Sequence, residues 1–238
     1  MFKMGVQVKL NTPAPSVAEL KAQGFTHIFF AVGAWKAGRL DIPGNVVPVI
    51  GWLKDLKAGK EVSLGHVAVV GGGNTAMDAA RVALRAGAKS STLVYRRTKR
   101  YMPADEEELA EAIGDGVEFL ELLAPIGVKD GKLTCAVMEL GAPDASGRRS
   151  PVDTGKTVDI PASTVITAIG EKIDGTLYES CNAPLDPKGR PVVDSQLQAA
   201  VHVYAAGDCR RGPATVVEAI ADAAKVASAI AGVDFDKY

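Results

Sequence analysis

The sequence predicts an α/β fold, and the clearest indication is a strand–helix–strand unit over residues 66–95. Residues 66–70 are mostly small or β-branched and apolar, as in a buried parallel strand. After three glycines, apolar residues recur at helical spacing up to Ala86, and Gly87 is suited to end that helix. The apolar run 92–95 then predicts a second strand, so the unit is the βαβ element from which parallel sheets are built.

The turn between the first strand and the helix has the spacing G-x-G-x-x-A, with Gly71, Gly73 and Ala76. Gly71 permits a tight turn, and the missing side chain at Gly73 lets a pyrophosphate approach the backbone. The helix start adds unbonded N–H groups and a partial positive charge. Because strand, glycines, helix and second strand occur in the required order, we predict a dinucleotide site. The alternative interpretation is a glycine-rich turn that binds no nucleotide.

The end of the second predicted strand indicates which dinucleotide is bound. In NAD-binding units, an Asp or Glu at this place accepts a hydrogen bond from the ribose 2′-hydroxyl. No acid occurs there in this sequence, and the run 95–100 contains Arg96, Arg97, Lys99 and Arg100 instead. A guanidinium at this place favours a 2′-phosphate, so Arg96 and Arg97 predict NADP(H). The alternative is a solvated basic surface that pairs with the acidic run 105–108, and for Lys99 and Arg100 we favour that interpretation.

Composition restricts the remaining function classes. The chain has 238 residues and a net charge of −1, so nothing indicates a general attraction to nucleic acid or to a membrane surface. No apolar run reaches the roughly 18 residues of a membrane span. Cys135, Cys181 and Cys209 are far apart and form neither a C-x-x-C pair nor a cluster-ligand spacing. We therefore expect no metal site, and a reducing, cytoplasmic setting.

The other segments predict further elements of an α/β domain. The predicted strands are 6–10, 26–33, 117–123, 126–129, 132–140 and 163–170, with a hairpin turn at Asp130-Gly131. The predicted helices are 17–23 with Ser16 as its N-cap, 49–56, and 104–113 with Pro103 in its first turn. Residues 141–150 are expected to form a polar loop.

The last third of the chain contains a second strand that ends in glycine. The strand 201–208 ends in Gly207-Asp208, and a helix is predicted over residues 215–230. That helix is apolar on most faces, so we expect it to be largely buried. Two interpretations of Asp208 stay open: it is a helix N-cap, or it accepts hydrogen bonds from the sugar hydroxyls of a cofactor.

Several of these motifs together resemble the glutamate synthase small (beta) subunit family, and the resemblance extends along nearly the whole chain. Within that family, residues 139–151 resemble the branch of selenate reductase flavin and Fe–S subunits. The motifs that carry the resemblance are Gly-Gly-Gly-Asn-Thr-Ala-Met-Asp (71–78), Val-Tyr-Arg-Arg-Thr (94–98), Met-Pro-Ala (102–104), Thr-Ala-Ile-Gly-Glu (167–171), Ala-Gly-Asp (206–208) and the run 212–220.

The resemblance implies a flavoprotein fold with two dinucleotide-binding domains. NADPH would reduce FAD, and electrons would leave to an iron–sulfur domain or another acceptor partner. No catalytic acid or base is expected, because hydride transfer depends on positioning and water exclusion. By position, the implied cofactor-binding residues are Gly71, Gly72, Gly73, Asn74 and Thr75 for the pyrophosphate, Arg96 and Arg97 for the 2′-phosphate, Gly170 beside a cofactor, and Gly207, Asp208, Ala214 and Thr215 for FAD.

The domain organisation implied by the family departs from this sequence at one point. We expect residues 44–170 to form the NADPH domain, inserted into an FAD domain formed by 1–43 and 171–238. The glycine motif with which the family holds the ADP part of FAD does not occur before Gly71. The expectation is therefore a fragment with an incomplete FAD domain, weak retention of FAD, exposed apolar faces and a tendency to form homodimers.

Two other functions are consistent with this pattern. The first is an isolated NADP-binding domain with no catalysis of its own. The second is a disulfide reductase of the thioredoxin-reductase kind, which has the same layout of two dinucleotide domains. The absence of paired cysteines disfavours this second alternative.

Overall fold

A computed structural model describes residues 2–145 and 147–233. The chain divides into two compact units. Met1–Trp35 and Lys172–Tyr238 form the terminal unit, and Lys36–Glu171 form the central unit.

Helices and strands alternate along most of the central unit. In chain order, the first elements of the terminal unit are α1 (Val17–Ala22) and β1 (Ile28–Phe30). The elements that follow are β2 (Lys36–Ala37), β3 (Val47–Pro48), α2 (Val49–Lys57), β4 (His66–Gly71), α3 (Asn74–Arg85), β5 (Ser90–Tyr95), α4 (Glu106–Gly114), β6 (Glu118–Glu121), β7 (Leu123–Lys129), β8 (Lys132–Pro143), β9 (Arg149–Pro161) and β10 (Thr164–Ala168). The last are β11 (Glu171–Lys172), α5 (Thr176–Glu179), β12 (Gln198–Ala200), β13 (Val203–Ala205), α6 (Asp208–Arg211) and α7 (Val216–Ala231).

A parallel sheet with the strand order β3-β10-β4-β5-β6 forms the core of the central unit. Strand β4 lies between β10 and β5 and is buried from Val67 onward, as its apolar sequence predicted. Helix α3 packs with fully buried Ala76, Ala79 and Ala83, whose small side chains permit a close approach. The carboxyl ends of β10, β4 and β5 therefore meet at one edge of the sheet, where ligands bind in folds of this type.

A second, antiparallel sheet of the central unit has the order β7-β8-β9. The predicted turn at Asp130-Gly131 is confirmed, and both residues have positive φ angles, 50° and 73°. The loop predicted over 141–150 is shorter than expected, because β8 continues to Pro143 and β9 begins at Arg149. Strand β9 was not predicted from the sequence, because most of its residues are polar and exposed and its apolar residues do not alternate along its length.

The terminal unit has its own small sheet and core. Strand β13 pairs with β1 in parallel and with β12 in antiparallel orientation. Tyr178 is fully buried, packs edge-on against Phe30 with ring centroids 5.3 Å apart, and donates a hydrogen bond to the Cys209 carbonyl. The predicted N-cap of α1 is confirmed, because the Ser16 hydroxyl accepts a bond from Glu19 N and Glu19 caps in return.

Three predictions about secondary structure are wrong. Residues 6–10 form no strand, because an alternating pattern alone supplies no pairing partner. Pro103 precedes α4 rather than lying in its first turn, since Asp105 is the N-cap. Helix α7 is largely exposed, with only Asp222 and Val226 buried, so its apolar composition did not indicate burial.

None of the described helices combines the length and the apolar character that a membrane crossing requires.

Candidate functional site

The glycine turn between β4 and α3 is shaped by the protein's own packing at its first two residues. A Cβ at Gly71 would lie 2.3 Å from the carbonyl oxygen of Ala168, and a Cβ at Gly72 would lie 2.5 Å from the ring of Tyr95. Neither position has room for a methyl group, because the neighbours are backbone and a buried ring. Glycine at these two positions lets the turn pass close to β10 and β5.

Gly73 differs from the two glycines before it. Its backbone is extended, with φ −99° and ψ 172°, so any residue could adopt it. A Cβ there would meet only Pro103 Cγ, at 4.0 Å. Gly73 is the N-cap of α3, and no side chain caps this helix start. The glycine therefore leaves open the space in front of the unbonded N–H groups of the first helical turn, which is where an anion binds.

Two hydrogen bonds connect the segment before α4 to this glycine turn. Ala104 N donates to the carbonyl of Gly72 at 3.1 Å, and Asp105 N donates to Asn74 Oδ1 at 3.2 Å. The side chain of Asn74 therefore has a structural partner. At Asn74 and Thr75, the backbone N–H groups are what remain to face a ligand.

A cavity of about 520 Å³ lies at this edge of the parallel sheet, within the central unit. Its wall unites residues that are far apart in sequence, including most of those predicted to bind the nucleotide. The members that matter here are Gly73 and Thr75 at the start of α3, Arg96 and Arg97 after β5, Gly170 after β10, and Arg148, which the sequence analysis missed.

Arg96 and Arg97 occupy different environments. Arg97 is 9% exposed, and its Nε donates to the carbonyl oxygen of Arg149 at 3.3 Å. Arg96 is exposed. Among the described residues, no carboxylate lies within ion-pair distance of either, and Glu108 of the acidic run instead lies 3.7 Å from Arg81. The suggested pairing of the basic cluster with the acidic run is therefore not seen for these two arginines.

The strand end in the terminal unit has a different construction. Gly207 has φ 66° and ψ −151°, a conformation that favours glycine, and it is the N-cap of the short helix α6. Asp208 is half-buried and begins α6; its Oδ1 accepts a bond from Ala214 N at 3.2 Å. Thr215 caps α7, so the interpretation of Asp208 as the N-cap of the long helix is wrong.

The polar groups at the N-terminus of α7 are hydrogen-bonded to other groups of the protein. The hydroxyl of Thr215 accepts from Glu218 N, and Thr215 N donates to the Glu218 carboxylate at 3.0 Å. With Ala214 N bound to Asp208, both backbone N–H groups predicted to face a flavin are engaged. The N–H groups of Val216 and Val217, the first helical residues, have no intrahelical acceptor.

A buried carboxylate holds this second turn in place. Asp222 is 6% exposed; it accepts a bond from Gly207 N at 2.9 Å and pairs with Arg210 and Arg211. Burial opposes ionisation of Asp222, but the Gly207 N–H and the two guanidinium groups outweigh it and hold its pKa below the usual value. The carboxylate is therefore a structural anion.

The chain belongs to the pyridine nucleotide-disulphide oxidoreductase family. The family's sequence profile matches residues 4–223. Together with the solved structures described below, this confirms the predicted flavoprotein fold with two dinucleotide-binding domains.

Curated relatives agree with the predicted resemblance. The chain is 42% identical over 92% of its length to YgfK of Escherichia coli (strain K12), which carries the name of an oxidoreductase. It is 34% identical over 95% of its length to the beta subunit of NADP(+)-dependent formate dehydrogenase from Moorella thermoacetica. It is 33% identical over 85% to the small chain of glutamate synthase [NADPH] from Azospirillum brasilense. The chain spans only 22%, 34% and 48% of these three proteins.

Solved structures show the same fold at lower identity. FprA of Mycobacterium tuberculosis, solved with NADPH, superposes with a TM-score of 0.71 over 91% of this chain and 65% of that protein, at 19% identity. Thioredoxin reductase of Lactococcus lactis superposes with a TM-score of 0.68 over 87% of this chain and 65% of that protein, also at 19% identity. The likeness of residues 139–151 to selenate reductase subunits stays a prediction.

The family is named for disulphide chemistry, and the cysteines of this chain do not suit it. All three are free thiols. Burial, reinforced by the charge of Asp159, raises the pKa of Cys135 to about 12, so this thiol is a poor nucleophile. No group of acids, histidines and cysteines within residues 2–145 and 147–233 could hold a metal ion.

Proposed function

We propose that this chain is a module of an NADPH-dependent flavin oxidoreductase. In this proposal the central unit binds NADPH, with the expected domain 44–170 lying inside it. The terminal unit would hold FAD, which would supply a hydride acceptor and a route for electrons to an iron–sulfur domain or another acceptor. The family membership and the names of relatives that use NADP(H) support this proposal.

The open space at Gly73 is the observation that carries the proposal. Gly71 and Gly72 are required by protein packing, whereas at position 73 an added Cβ would meet only Pro103 Cγ among the described residues, at 4.0 Å. A ligand that contacts the backbone there does require glycine, and a pyrophosphate at the helix start is such a ligand. The residues present therefore fit a dinucleotide, with the N–H groups of Asn74 and Thr75 as donors.

The coenzyme preference follows from the cations that line the same cavity. Arg96 and Arg97 follow the strand that neighbours β4, at the position where a 2′-phosphate would lie. Arg97 uses one of its five N–H donors on Arg149 and retains the others for a phosphate. Both residues bind the 2′-phosphate of NADP(H), and the chain prefers NADP(H) over NAD(H).

The terminal unit offers groups suited to a flavin nucleotide. When bound, FAD supplies the hydride acceptor and the route for single electrons. The half-buried carboxylate of Asp208, beside Gly207, accepts bonds from sugar hydroxyls. Ala214 and Thr215 place the start of α7 so that its free N–H groups face the ligand. In the central unit, Gly170 lines the cavity and carries the backbone past the cofactor bound there, with φ 101°.

The proposal extends to assembly and setting. Val216, Val217 and Ile220 on α7 are 64–76% exposed, and such an apolar face favours homodimers or a covering partner subunit. Three free thiols fit a reducing cytoplasm.

The experiment that tests the coenzyme assignment measures the affinity of the full chain for 2′-phospho-ADP-ribose and for ADP-ribose by calorimetry. Replacing both Arg96 and Arg97 by Ala removes two charge-assisted contacts, so the affinity ratio falls about 100-fold. The matched control replaces Lys99 and Arg100, which carry the same charge but do not line the cavity, and leaves the ratio unchanged. An unchanged ratio in the Arg96/Arg97 variant would refute the assignment.

A nucleotide-binding domain without catalysis is the second candidate, because the N–H groups of Ala214 and Thr215 that were expected to face a flavin are already bonded within the protein. Absorbance at 340 nm separates the two. If NADPH is oxidised when FAD and a dye are added, the oxidoreductase proposal stands. If NADPH binds but neither FAD nor the dye is reduced, the chain is a binding domain alone.

A further inference from the structure

Positive charge dominates the wall of the cavity in the central unit. Its charged lining residues are Arg96, Arg97 and Arg148 together with Glu171, a net of two positive charges. A phosphate monoester carries about two negative charges at neutral pH. The wall therefore has the charge that would balance one phosphate group.

These three guanidinium groups also share the lack of a protein counterion. Within the described ranges, no carboxylate oxygen lies within 4.0 Å of a guanidinium nitrogen of Arg96, Arg97 or Arg148. Arg81 and Arg211, in contrast, each pair with more than one acid. Three unpaired like charges around one cavity repel one another and attract an anion.

The backbone of Arg148 is held in place by the turn that carries it. Asp144 Oδ1 accepts a bond from Arg148 N at 3.0 Å, and Asp144 N donates to the Arg148 carbonyl at 2.9 Å. Gly147 N closes the turn onto the Asp144 carbonyl at 2.9 Å, with φ 79°. These bonds among Asp144, Gly147 and Arg148 hold the backbone from which the Arg148 side chain extends.

The hairpin is also bonded to the strand end that carries Arg97. Arg97 Nε donates to the Arg149 carbonyl, one residue from Arg148. From the other side, Leu122 N donates to the Arg97 carbonyl at 3.2 Å, and Met138 N donates to the Leu122 carbonyl at 2.7 Å. The end of β5 and the β8–β9 hairpin are therefore linked at two places.

We propose that Arg148 is a third residue that binds the 2′-phosphate of NADP(H) and thereby determines coenzyme preference together with Arg96 and Arg97. This inference rests on the proposed function. Arg148 comes from a segment unrelated in sequence to the glycine turn and its strand, so the hairpin is a separate specificity element of the site.

The test measures the affinities of the full chain for 2′-phospho-ADP-ribose and ADP-ribose in wild type and in Arg148→Ala. Loss of a charge-assisted contact lowers the affinity for the phosphorylated ligand about tenfold and leaves that for ADP-ribose within twofold. Arg149→Ala is the matched control: it removes the same charge one residue away, keeps the carbonyl that Arg97 uses, and leaves both affinities unchanged. Arg148→Lys retains the positive charge but lacks the planar guanidinium group. It should give a ratio of the two affinities between those of wild type and Arg148→Ala.

Other outcomes separate the two proposals. Equal weakening of both ligands in Arg148→Ala would show that Arg148 contacts the nucleotide elsewhere, and would overturn the inference alone. An unchanged ratio in Arg148→Ala, with a wild type that prefers the phosphorylated ligand, would likewise overturn it and leave the proposed function standing. A wild type that binds both ligands equally would overturn the NADP(H) assignment and this inference with it.

Discussion

The two strand–glycine–helix junctions of the molecule use the same local sequence pattern in opposite ways. At the first junction, Gly73 leaves the start of α3 without a side-chain cap and open to a cavity with unpaired cations. At the second, carboxylates of the protein already occupy the donors: Asp222 accepts from Gly207 N, and Glu218 accepts from Thr215 N. Each junction lies in its own unit of the fold.

In the proposed function, this difference corresponds to the kind of ligand that each junction would bind. Open N–H groups and arginines bind an anion, so the first junction suits a pyrophosphate. At the second junction the half-buried carboxylate of Asp208 is an acceptor, so it suits a ligand with hydroxyl groups. A glycine after a strand therefore does not identify the ligand; the groups that satisfy the helix start do.

The largest effect is expected at the first junction, from Gly73→Val. The new side chain would fill the space in front of the α3 N–H groups, and binding of 2′-phospho-ADP-ribose should weaken about 100-fold or more. Stability should change by less than about 1 kcal/mol, because the backbone conformation at residue 73 suits any residue and an added Cβ would lie 4.0 Å from Pro103 Cγ. Calorimetry and urea unfolding measure the two quantities.

The control for this prediction is Gly51→Ala on α2, where an added Cβ meets nothing within 4 Å. It should leave binding unchanged. If Gly73→Val bound the nucleotide as tightly as wild type does, the space at Gly73 would not be the binding site. The proposed difference between the two junctions would then be contradicted.

The next largest effect is expected at the second junction, from Asp222→Asn. Removing the buried charge leaves Arg210 and Arg211 without their shared partner, which should cost about 3 kcal/mol of unfolding free energy. Binding of 2′-phospho-ADP-ribose should not change. Glu218→Gln, which alters an exposed acid of the same junction, should cost less than about 1 kcal/mol.

The difference in unfolding free energy between wild type and Asp222→Asn should depend on pH with a definite sign. The pKa of Asp222 is lowered in the folded protein, so its contribution is complete above the unfolded pKa of about 3.9 and is lost as the pH falls through the folded pKa. Urea unfolding of wild type and Asp222→Asn should therefore give a constant gap near neutral pH that narrows below about pH 4. A gap that widened in acid would contradict a structural anion at this position.

The smallest effect is expected from Thr215→Ala, which removes the side-chain cap of α7. Thermal unfolding should show a loss of about 1 kcal/mol. Thr98 precedes a short 3₁₀ turn and makes no cap bond, so Thr98→Ala should cost less than half as much. Equal losses in the two variants would mean that the second junction is not held by its cap.

Local patterns were enough to predict the first junction. Strand β4 is buried on both faces from Val67 onward, so its sequence from there to Gly71 is apolar and can be recognised without knowing its neighbours. Helix α3 is buried on one face, so its apolar residues recur at helical spacing. The hairpin turn at residues 130 and 131 was predicted for the same reason, since both residues favour positive φ.

Features that depend on distant partners could not be predicted. Strand β9 is polar and exposed and exists because β8 pairs with it, whereas residues 6–10 alternate correctly and pair with nothing in the described structure. The exposure of α7 depends on what packs against it rather than on its composition. Arg148 lies in a stretch expected to be a loop, and only the register of β8 and β9 brings it to the cavity.

Gly73 also provides a simple diagnostic for other proteins of this family. Among the described residues, an added Cβ there would meet only Pro103 Cγ, so an occupant of the cavity is the main reason to keep the smallest residue. A relative that had abandoned its coenzyme would be free to acquire any side chain at this position while keeping Gly71 and Gly72 for folding. The identity of one amino acid would then distinguish members that still handle the nucleotide from members that have retained only the architecture.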